Sequence, residues 1–409
     1  MSYGLGIDLG STYTAAAISR DHARAVPAMA PLGSGSPLLR TVVRVSREGG
    51  LVVGDDLSSS PDLQNELTGH DFRRHLGDST SLTLGGRRLS ARDLYTEVIS
   101  AVLVRVARTE GAAPGHVVLT CPATWGPHRR EQLAEACRRA GLAPAGFSLC
   151  SEAEAVAVAH LSGQPPRNPH QLVVYDVGGG SFDACVVDVE RTPDGLVQVR
   201  DLGVPDSLEW FGGVDLDQNV LSLVDQACGG AVSQLDPDDP GEADALRRIR
   251  AAGVRAKEAL AGAQQAEIDI GLPGRTPSVV LTRLHLEEWL RPRLAAALPA
   301  LRQVLDSARI GRRDRATILL SGGTAAIPMV GRMLAEDLGR PVRLLPDPQF
   351  VTALGAAVLA GQAVPEPGPG SPHRPRLRTG VRFALLASGT LAGATGLLMA
   401  ALGLDGLQP

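Results

Sequence analysis

Apolar runs of strand length recur along the chain, several ending at an aspartate followed by glycine, and segments of helical period separate them. LVVYDV, Leu172 to Val177, is rich in β-branched residues and predicts a buried strand; ACVVDV, ending at Val189, predicts its partner. LGIDLG and TAAAI, between Tyr3 and Ile18, follow the same strand, turn, strand plan. Further strands are expected at Thr41 to Val45, Leu51 to Val53, Val117 to Thr120, Ile268 to Ile270 and Ala316 to Leu320. Helical patterns begin at Ser90, with Asp93 completing a capping box, and at Pro127, with Leu133, Ala136 and Cys137 inward and Gly141 as the stop. Others run from Ser151, capped with Glu154, to about His160, from Ala243 to Leu260, from Thr282 to Ala308 with bends at Pro292 and Pro299, and from Pro328 to Leu338. A last small-residue helix is expected to start at Gly355, and an amphipathic one after the Gly212-Gly213 turn. Asp71 to Gly77, Gln164 to Pro169 and Leu235 to Glu242 read by composition as surface loops.

The turns between paired strands carry the candidate chemistry. Gly178, Gly179 and Gly180 remove every Cβ from one of them, so backbone N–H groups can approach an anion closely. Asp176 and Asp183 flank this turn and Ser181 adds a hydroxyl; carboxylates beside a phosphate cradle call for a cation between them, and Mg²⁺ is the usual one for nucleotides. Alone, the stretch would be an ordinary glycine-rich hairpin. Its plan is repeated by Asp8, Gly10, Ser11, Thr12 and Tyr13, which predicts two related lobes facing one cleft. Ser321-Gly322-Gly323-Thr324 joins a strand to a helix N-terminus, a second geometry suited to nucleotide contact. Glu152, in a first helical turn, reads locally as a complement to the helix dipole.

With 409 residues, 44% hydrophobic and 21% charged, the chain is long enough for two lobes with their own cores. A net charge of −4 leaves no footprint for nucleic acid. The five cysteines are scattered without a CxxC, which suits core residues in a reducing compartment. The N-terminus has an early Asp8 and no basic leader. From Phe383 to Leu404 there is no charge, about enough at ~1.5 Å per residue to cross a hydrocarbon core of about 30 Å. Arg374, Arg376, Arg378 and Arg382 precede it, so the positive-inside rule keeps the large N-terminal part cytoplasmic. Gly389 and Gly393 form a GxxxG that would let two such helices pack as a homodimer.

GIDLGSTYTAAAI, LTCPATWGPHRREQLAEACRRAGL, SEAEAVAVAHL, VVYDVGGGSFDACVV and ILLSGGTAAIPMV, in this order and spacing, resemble the nucleotide-binding domain of the Hsp70 family, within the actin, sugar kinase and Hsp70 ATPase superfamily. The resemblance implies an α/β fold with two actin-like lobes closing over a central Mg-nucleotide cleft. Lobe I would span 1–170 with an inserted subdomain at about 39–113, and lobe II 171–362 with one at about 218–311; a linker at 363–380 and a single hydrophobic helix at 381–404 would follow. Asp8, Asp176 and Ser181 match residues around Mg²⁺, held through water, and the γ-phosphate. Glu152, Asp176 and Asp183 match the carboxylates around the attacking water. Gly10, Ser11, Thr12 and Tyr13 match the first phosphate loop and Gly178, Gly179 and Gly180 the second. Gly212, Gly213, Lys257, Gly322, Gly323 and Thr324 match positions near nucleoside and phosphates, and Pro122 and Arg130 an interlobe switch.

Five substituted positions and one larger departure qualify the resemblance. The family's catalytic lysine falls on Arg73, which keeps the charge but replaces a compact ammonium with a planar fork. Val254 and Ala261 replace a glutamate and a serine at the nucleoside, Ala326 replaces an arginine that would stack on the base, and Gln349 replaces an acidic residue on the ribose side. Where the family continues with a β-sandwich peptide-binding domain and a helical lid, the residues after the linker are expected here to form the single hydrophobic helix. These features predict an Hsp70-like protein that binds Mg-ATP and ADP and hydrolyses ATP slowly, its lobe closure regulating a protein partner at the membrane. The alternatives are a nucleotide-sensing scaffold without catalysis and, behind it, an actin-like filament protein or sugar kinase.

Overall fold

The computed structural model of the chain describes residues 2–20, 26–33, 35–46, 49–54, 66–68, 72–162, 170–192, 197–209, 212–236, 239–271, 278–311, 314 and 316–364. By its contacts the chain divides into Met1–Gly368 and Pro369–Pro409. The second unit, and with it the hydrophobic helix expected at 381–404 and most of the linker, lies outside the described residues. Among the described residues no helix is long and apolar enough to cross a membrane.

Two sheets of matching plan form the centre of the first unit. In one, β1 (Gly4–Leu9) turns back into β2 (Tyr13–Ser19), which continues onto β3 (Ala28–Met29) and also pairs with β4 (Leu38–Arg40). A small sheet of β5 (Val42–Val45), β6 (Leu51–Val53) and β7 (Glu66–Thr68) and a hairpin of β8 (Leu82–Leu84) and β9 (Arg87–Leu89) come next. Then come α1 (Ala91–Glu110), β10 (His116–Cys121), α2 (Pro127–Arg139), β11 (Phe147–Ser151) and α3 (Glu152–Leu161), so that the sheet runs β11-β10-β1-β2-β3. In the other, β12 (His170–Val177), β13 (Phe182–Arg191) and β14 (Val197–Leu208) form an antiparallel meander. It is followed by α4 (Gly213–Ala227), α5 (Pro240–Ala259), the hairpin of β15 (Gln265–Asp269) and β16 (Ser278–Thr282), and α6 (Arg283–Ser307). The chain then returns as β17 (Thr317–Ser321), α7 (Pro328–Leu338), β18 (Val342–Leu344) and α8 (Val351–Ala363), giving the order β14-β13-β12-β17-β18. Strand for strand the two orders superpose: β1 and β12 each lie between an antiparallel hairpin partner and a parallel strand from later in their half.

Each sheet has its own apolar core. Leu5, Ile7, Leu94, Val98, Leu119 and Leu133 meet beneath the first, and Val173, Tyr175, Leu216, Leu290, Leu320 and Leu334 beneath the second. Burial of this kind contributes roughly 1.5–3 kcal/mol per large apolar side chain. Two helices exchange sides between the halves. α3 leaves the first sheet and buries Val156 and Leu161 with Leu172, Val174 and Leu319 of the second. α8 leaves the second and lays Ala353 and Ala357 on Ala15 and Ala17, and Ala356 and Ala360 on Val118. The small residues of these helices are what lets them approach: a Cβ on Gly355 would lie 1.8 Å from the carbonyl oxygen of Ala155. Gly355 therefore sits inside α8, which starts four residues earlier than the small-residue pattern indicated.

The helix caps read from sequence form as expected: Ser90 with Asp93, and Ser151 with Glu154, are reciprocal capping boxes, and Thr282 caps α6 with both prolines inside it. Other expectations are corrected. α5 begins at Pro240, within the stretch read as a loop, because Asp239 accepts from the N–H groups of Gly241 and Glu242. β14, β16, β18 and the β8–β9 hairpin were not expected; β14 contains Gly203 and Pro205, which suit only an edge strand and read as loop. Of the stretch read as a surface loop, Asp71 lies outside the described residues and Phe72 to Gly77 is no solvated turn, since Phe72 is fully buried and packs edge-on against Tyr95 at 5.1 Å, carrying Arg73 inward.

Candidate functional site

The C-terminal ends of β1 and β12, and the hairpin turns that follow them, open onto one cavity of about 350 Å³. Asp8, Gly10, Ser11, Thr12 and Tyr13 line it from the first half, Gly178, Gly179, Ser181, Gly213, Lys257, Gly322, Gly323 and Thr324 from the second, and Asp176, Glu152 and Arg73 form its floor. Residues far apart in sequence thus converge. Among the residues singled out from sequence, Asp183, Gly180, Gly212, Pro122 and Arg130 do not line the cavity. Asp183 borders a much smaller cavity behind Glu152 and Asp176, and Gly212 packs against the glycine turn itself, where a Cβ would fall 2.4 Å from the Gly179 carbonyl oxygen and 2.7 Å from the Gly180 nitrogen. Pro122 is buried after β10 and Arg130 donates from Nε to the Trp125 carbonyl at 2.8 Å, so both belong to the elbow between β10 and α2.

The glycine turn is fixed from behind. Gly178 N–H donates to the Ser181 carbonyl at 3.0 Å, and the Gly178 and Gly179 carbonyls accept from Gly213 N–H at 3.1 Å and Val214 N–H at 2.8 Å. Thr324 Oγ1 donates to the Gly178 carbonyl at 2.8 Å. A Cβ on Gly179 would fall 1.9 Å from Thr12 Oγ1, so the two hairpin turns meet across the cavity only because that residue has none. Thr12 Oγ1 is itself buried without a hydrogen-bond partner, an arrangement that leaves a donor aimed at ligand.

On the floor, each strand-end carboxylate is steered by a hydroxyl from its parallel neighbour. Thr120 Oγ1 donates to Asp8 Oδ1 at 2.8 Å and Ser321 Oγ to Asp176 Oδ2 at 2.7 Å; Ser181 Oγ donates to Asp183 Oδ2 at 2.7 Å. Arg73, only 8% exposed, donates to Ser11 Oγ at 3.2 Å and Glu152 Oε1 at 3.4 Å, with Asp183 Oδ2 at 3.8 Å. One guanidinium therefore faces four carboxylates in a buried place. Burial raises the pKa of Asp8, against the Thr120 hydrogen bond and Arg73. Burial likewise raises Asp176 to about 7, against the Ser321 hydrogen bond and with Asp8 and Asp183 adding to it, and drives Glu152 well up despite Arg73. Arg73 is held charged: burial opposes this, but Glu152 and Asp183 outweigh it. A surplus of negative charge of this kind fits a divalent cation. Among the described residues no group of three or more His, Cys, Asp or Glu is arranged to ligate a metal directly, so Asp8 and Asp176 fit a cation that keeps its water shell, as Mg²⁺ does.

Thr120 was missed from sequence, where a lone hydroxyl at a strand end carries no signal, and Ser321, singled out as part of the turn before Gly322, was not expected to serve Asp176. Tyr13 and Glu258 were missed as a pair. Tyr13 OH donates to Glu258 Oε1 at 3.5 Å, linking the first turn to α5 at the cavity mouth. Lys257, one residue before, donates to the Gly213 carbonyl at 3.0 Å and pairs with Asp217 at 2.7 Å.

A model of the Hsp70 protein family matches residues 77–367, most of the chain. The chain belongs to the Hsp70 family. Its relatives include a chaperone protein DnaK of Thermosipho melanesiensis, 26% identical over 377 residues covering 90% of this chain and 60% of that protein. A DnaK of Thermotoga neapolitana is 25% identical over 363 residues, covering 87% and 59%. An HscA homolog of Burkholderia mallei is 28% identical over 377 residues, covering 87% and 58%. The chain thus spans about 60% of the length of these relatives. The mixed α/β architecture is that of an Hsp70-type ATPase fold. Hsp70-family proteins bind ATP and ADP, generally with Mg²⁺, and the glycine turn, the orphan Thr12 hydroxyl and the carboxylate surplus described above fit both ligands.

Proposed function

We propose that the chain is an Hsp70-like Mg-ATP-binding protein that hydrolyses ATP slowly and uses closure of its two halves, 1–170 and 171–362, to regulate a protein partner. The observation that carries this reading is the convergence of two glycine-bearing hairpins on three carboxylates, Asp8, Glu152 and Asp176, and one guanidinium that also approaches Asp183 behind them. Thr12, Tyr13 and Gly178 to Gly180 would hold the phosphates, and Lys257 with Gly212, Gly213, Gly322, Gly323 and Thr324 the nucleoside side. When bound, Mg²⁺ supplies charge neutralisation for the phosphates, held through water by Asp8 and Asp176. Glu152, oriented by Arg73 and backed by Asp183, would accept the proton of the attacking water; a carboxylate with a raised pKa is the better base. Arg73 would neutralise the γ-phosphate, and its engagement with Glu152 and Asp183 accounts for slowness: the guanidinium must divide itself between carboxylates and phosphate. Pro122 and Arg130 would carry nucleotide state from the floor to the elbow beside α2.

We further place the partner at a membrane, with residues 381–404 as a single-pass anchor, the large unit cytoplasmic and the Gly389/Gly393 face as a contact between two copies. This part of the reading rests on the charge-free segment and its preceding arginines.

The test is nucleotide binding and single-turnover hydrolysis by the full chain, compared with Arg73→Lys. Phosphate release is expected to be slow in the parent and several-fold faster in Arg73→Lys. ATP-dependent thermal stabilisation with ATP intact after long incubation would instead support the second reading, a nucleotide-sensing scaffold, which the carboxylate-bound Arg73 and the alanine at position 326 favour. Sedimentation with ATP would expose an actin-like filament.

A further inference from the structure

Behind the floor the two halves meet a second time. The elbow between β10 and α2 brings Ala123 and Thr124 against Ala184, Cys185 and Asp206 of the second half, around the smaller cavity. A few residues further along each stretch, Arg129 Nη1 pairs with Glu209 Oε1 at 3.1 Å, joining the first turn of α2 to the residue that follows β14. Both ends of this pair are tied to the reacting site. Glu209 follows Leu208, which stands opposite Phe182 where β13 leaves the glycine turn, and it precedes Gly212, which packs on that turn. At the other end, Arg129 Nη2 donates to the Arg74 carbonyl, weakly at 3.5 Å, and His128 Nε2 donates to the Gly77 carbonyl at 2.9 Å. The fit is close: a Cβ on Gly77 would lie 3.1 Å from His128 Cδ2 and 3.3 Å from Arg129 Cγ. The first turn of α2 thus grips from outside the segment Phe72–Gly77, which Tyr95 holds from inside and which carries Arg73.

With side chains 33% and 31% exposed, the Arg129–Glu209 pair contributes little to stability. Its consequence is geometric. A guanidinium presents N–H groups in several fixed directions, so one side chain answers to a carbonyl of its own half and a carboxylate of the other. When the halves shift, Glu209 moves with the glycine turn, and Arg129 passes that movement to the segment bearing Arg73. The contacts of Arg73 with Glu152 at 3.4 Å and Asp183 at 3.8 Å are long for charge-assisted bonds, which leaves its guanidinium room to respond. Arg130, the next residue, donates from Nε within its own elbow, to the Trp125 carbonyl. We propose that Arg129 is a positioning residue: through its ion pair with Glu209 it sets Arg73 against the γ-phosphate as the halves close. The inference rests on the hydrolytic reading given above and adds to it the link between closure and the reacting charge.

The test is Mg-ATP affinity and single-turnover phosphate release by the full chain, Arg129→Gln, Glu209→Gln and the double variant, with the melting temperature of each taken without nucleotide. Each single variant is expected to release phosphate about fivefold more slowly than the parent, because a misplaced charge acts on the rate more than on binding. ATP affinity should stay within about twofold of the parent and the melting temperature should not move, as for a partly exposed pair. The double variant should be no slower than either single one, since both substitutions remove the same link. Losses that multiply in the double variant, that appear in affinity instead of rate, or that follow a drop in melting temperature overturn the inference, as do variants that match the parent. All of these leave the hydrolytic reading standing. A parent that binds ATP and releases no phosphate overturns both.

Discussion

The two hairpins at the cavity share a plan and differ in one register position. In each, the strand that ends in the carboxylate lies between an antiparallel hairpin partner and a parallel strand that supplies a hydroxyl: Asp8 with Thr120, Asp176 with Ser321. Directly opposite Asp8 on the hairpin partner stands Ala15, whereas directly opposite Asp176 stands Asp183. The turns differ as well, because the second uses consecutive glycines where the first carries Ser11, Thr12 and Tyr13. One hairpin thus supplies hydroxyls and a single acid, and the other a glycine turn and two acids. Arg73, which comes from the first half, lies between the two sets: it pairs with Glu152 of its own half at 3.4 Å and comes within 3.8 Å of Asp183, the second hairpin's extra acid.

The largest test of this asymmetry removes the shared element. Asp8→Asn and Asp176→Asn should each lower single-turnover phosphate release about a hundredfold or more, as loss of a group that positions the reacting charges does. Asp183→Ala, which gives the second hairpin the residue found at the equivalent position of the first, should cost about tenfold and spare nucleotide affinity; an equal loss in all three would erase the distinction. Contact between the turns is probed next. Gly179→Ala forces Thr12 to move and is expected to weaken triphosphate binding about tenfold, read by calorimetry, and adding Thr12→Ala should recover part of it. Thr120→Val and Ser321→Ala each strip one buried hydrogen bond to a carboxylate. They should lower stability by about 1.5–3 kcal/mol in urea titrations.

The smallest expected effect is a slope with pH. The folded chain keeps a proton on Asp176 up to about pH 7, while the unfolded chain releases it near pH 4, so between these values the folded state binds more protons. This group's contribution to stability therefore falls as pH rises through that window. The melting temperature of the metal-free chain should accordingly rise less, or fall more, with pH than that of Asp176→Asn, and Mg²⁺ with nucleotide should remove the difference.

Much of the site could be read before the structure was known, and the readable part has a common character. The Asp8 and Asp176 hairpins, the glycine turn, the capping boxes at Ser90 and Ser151 and the cap at Thr282 are made of residues within a few positions of one another, so local geometry alone specifies them. β14 escaped notice because an edge strand tolerates Gly203 and Pro205, and its place beside β13 is a matter of sheet order. Arg73 shows the limit most plainly. By composition its segment is a basic surface turn, and only the burial of Phe72 against Tyr95 turns it inward.

By itself, then, the sequence determined where strands end in carboxylates, where turns lack Cβ atoms and where helices start, since each depends on neighbours along the chain. The fold alone decided that Thr120 serves Asp8 across 112 positions, that Ser321 serves Asp176 across 145, and that Tyr13 meets Glu258 across 245. Such pairs are set by parallel strand register and by the packing of α5 over the cavity mouth. A single hydroxyl or carboxylate has no periodicity or spacing through which the sequence could announce its partner.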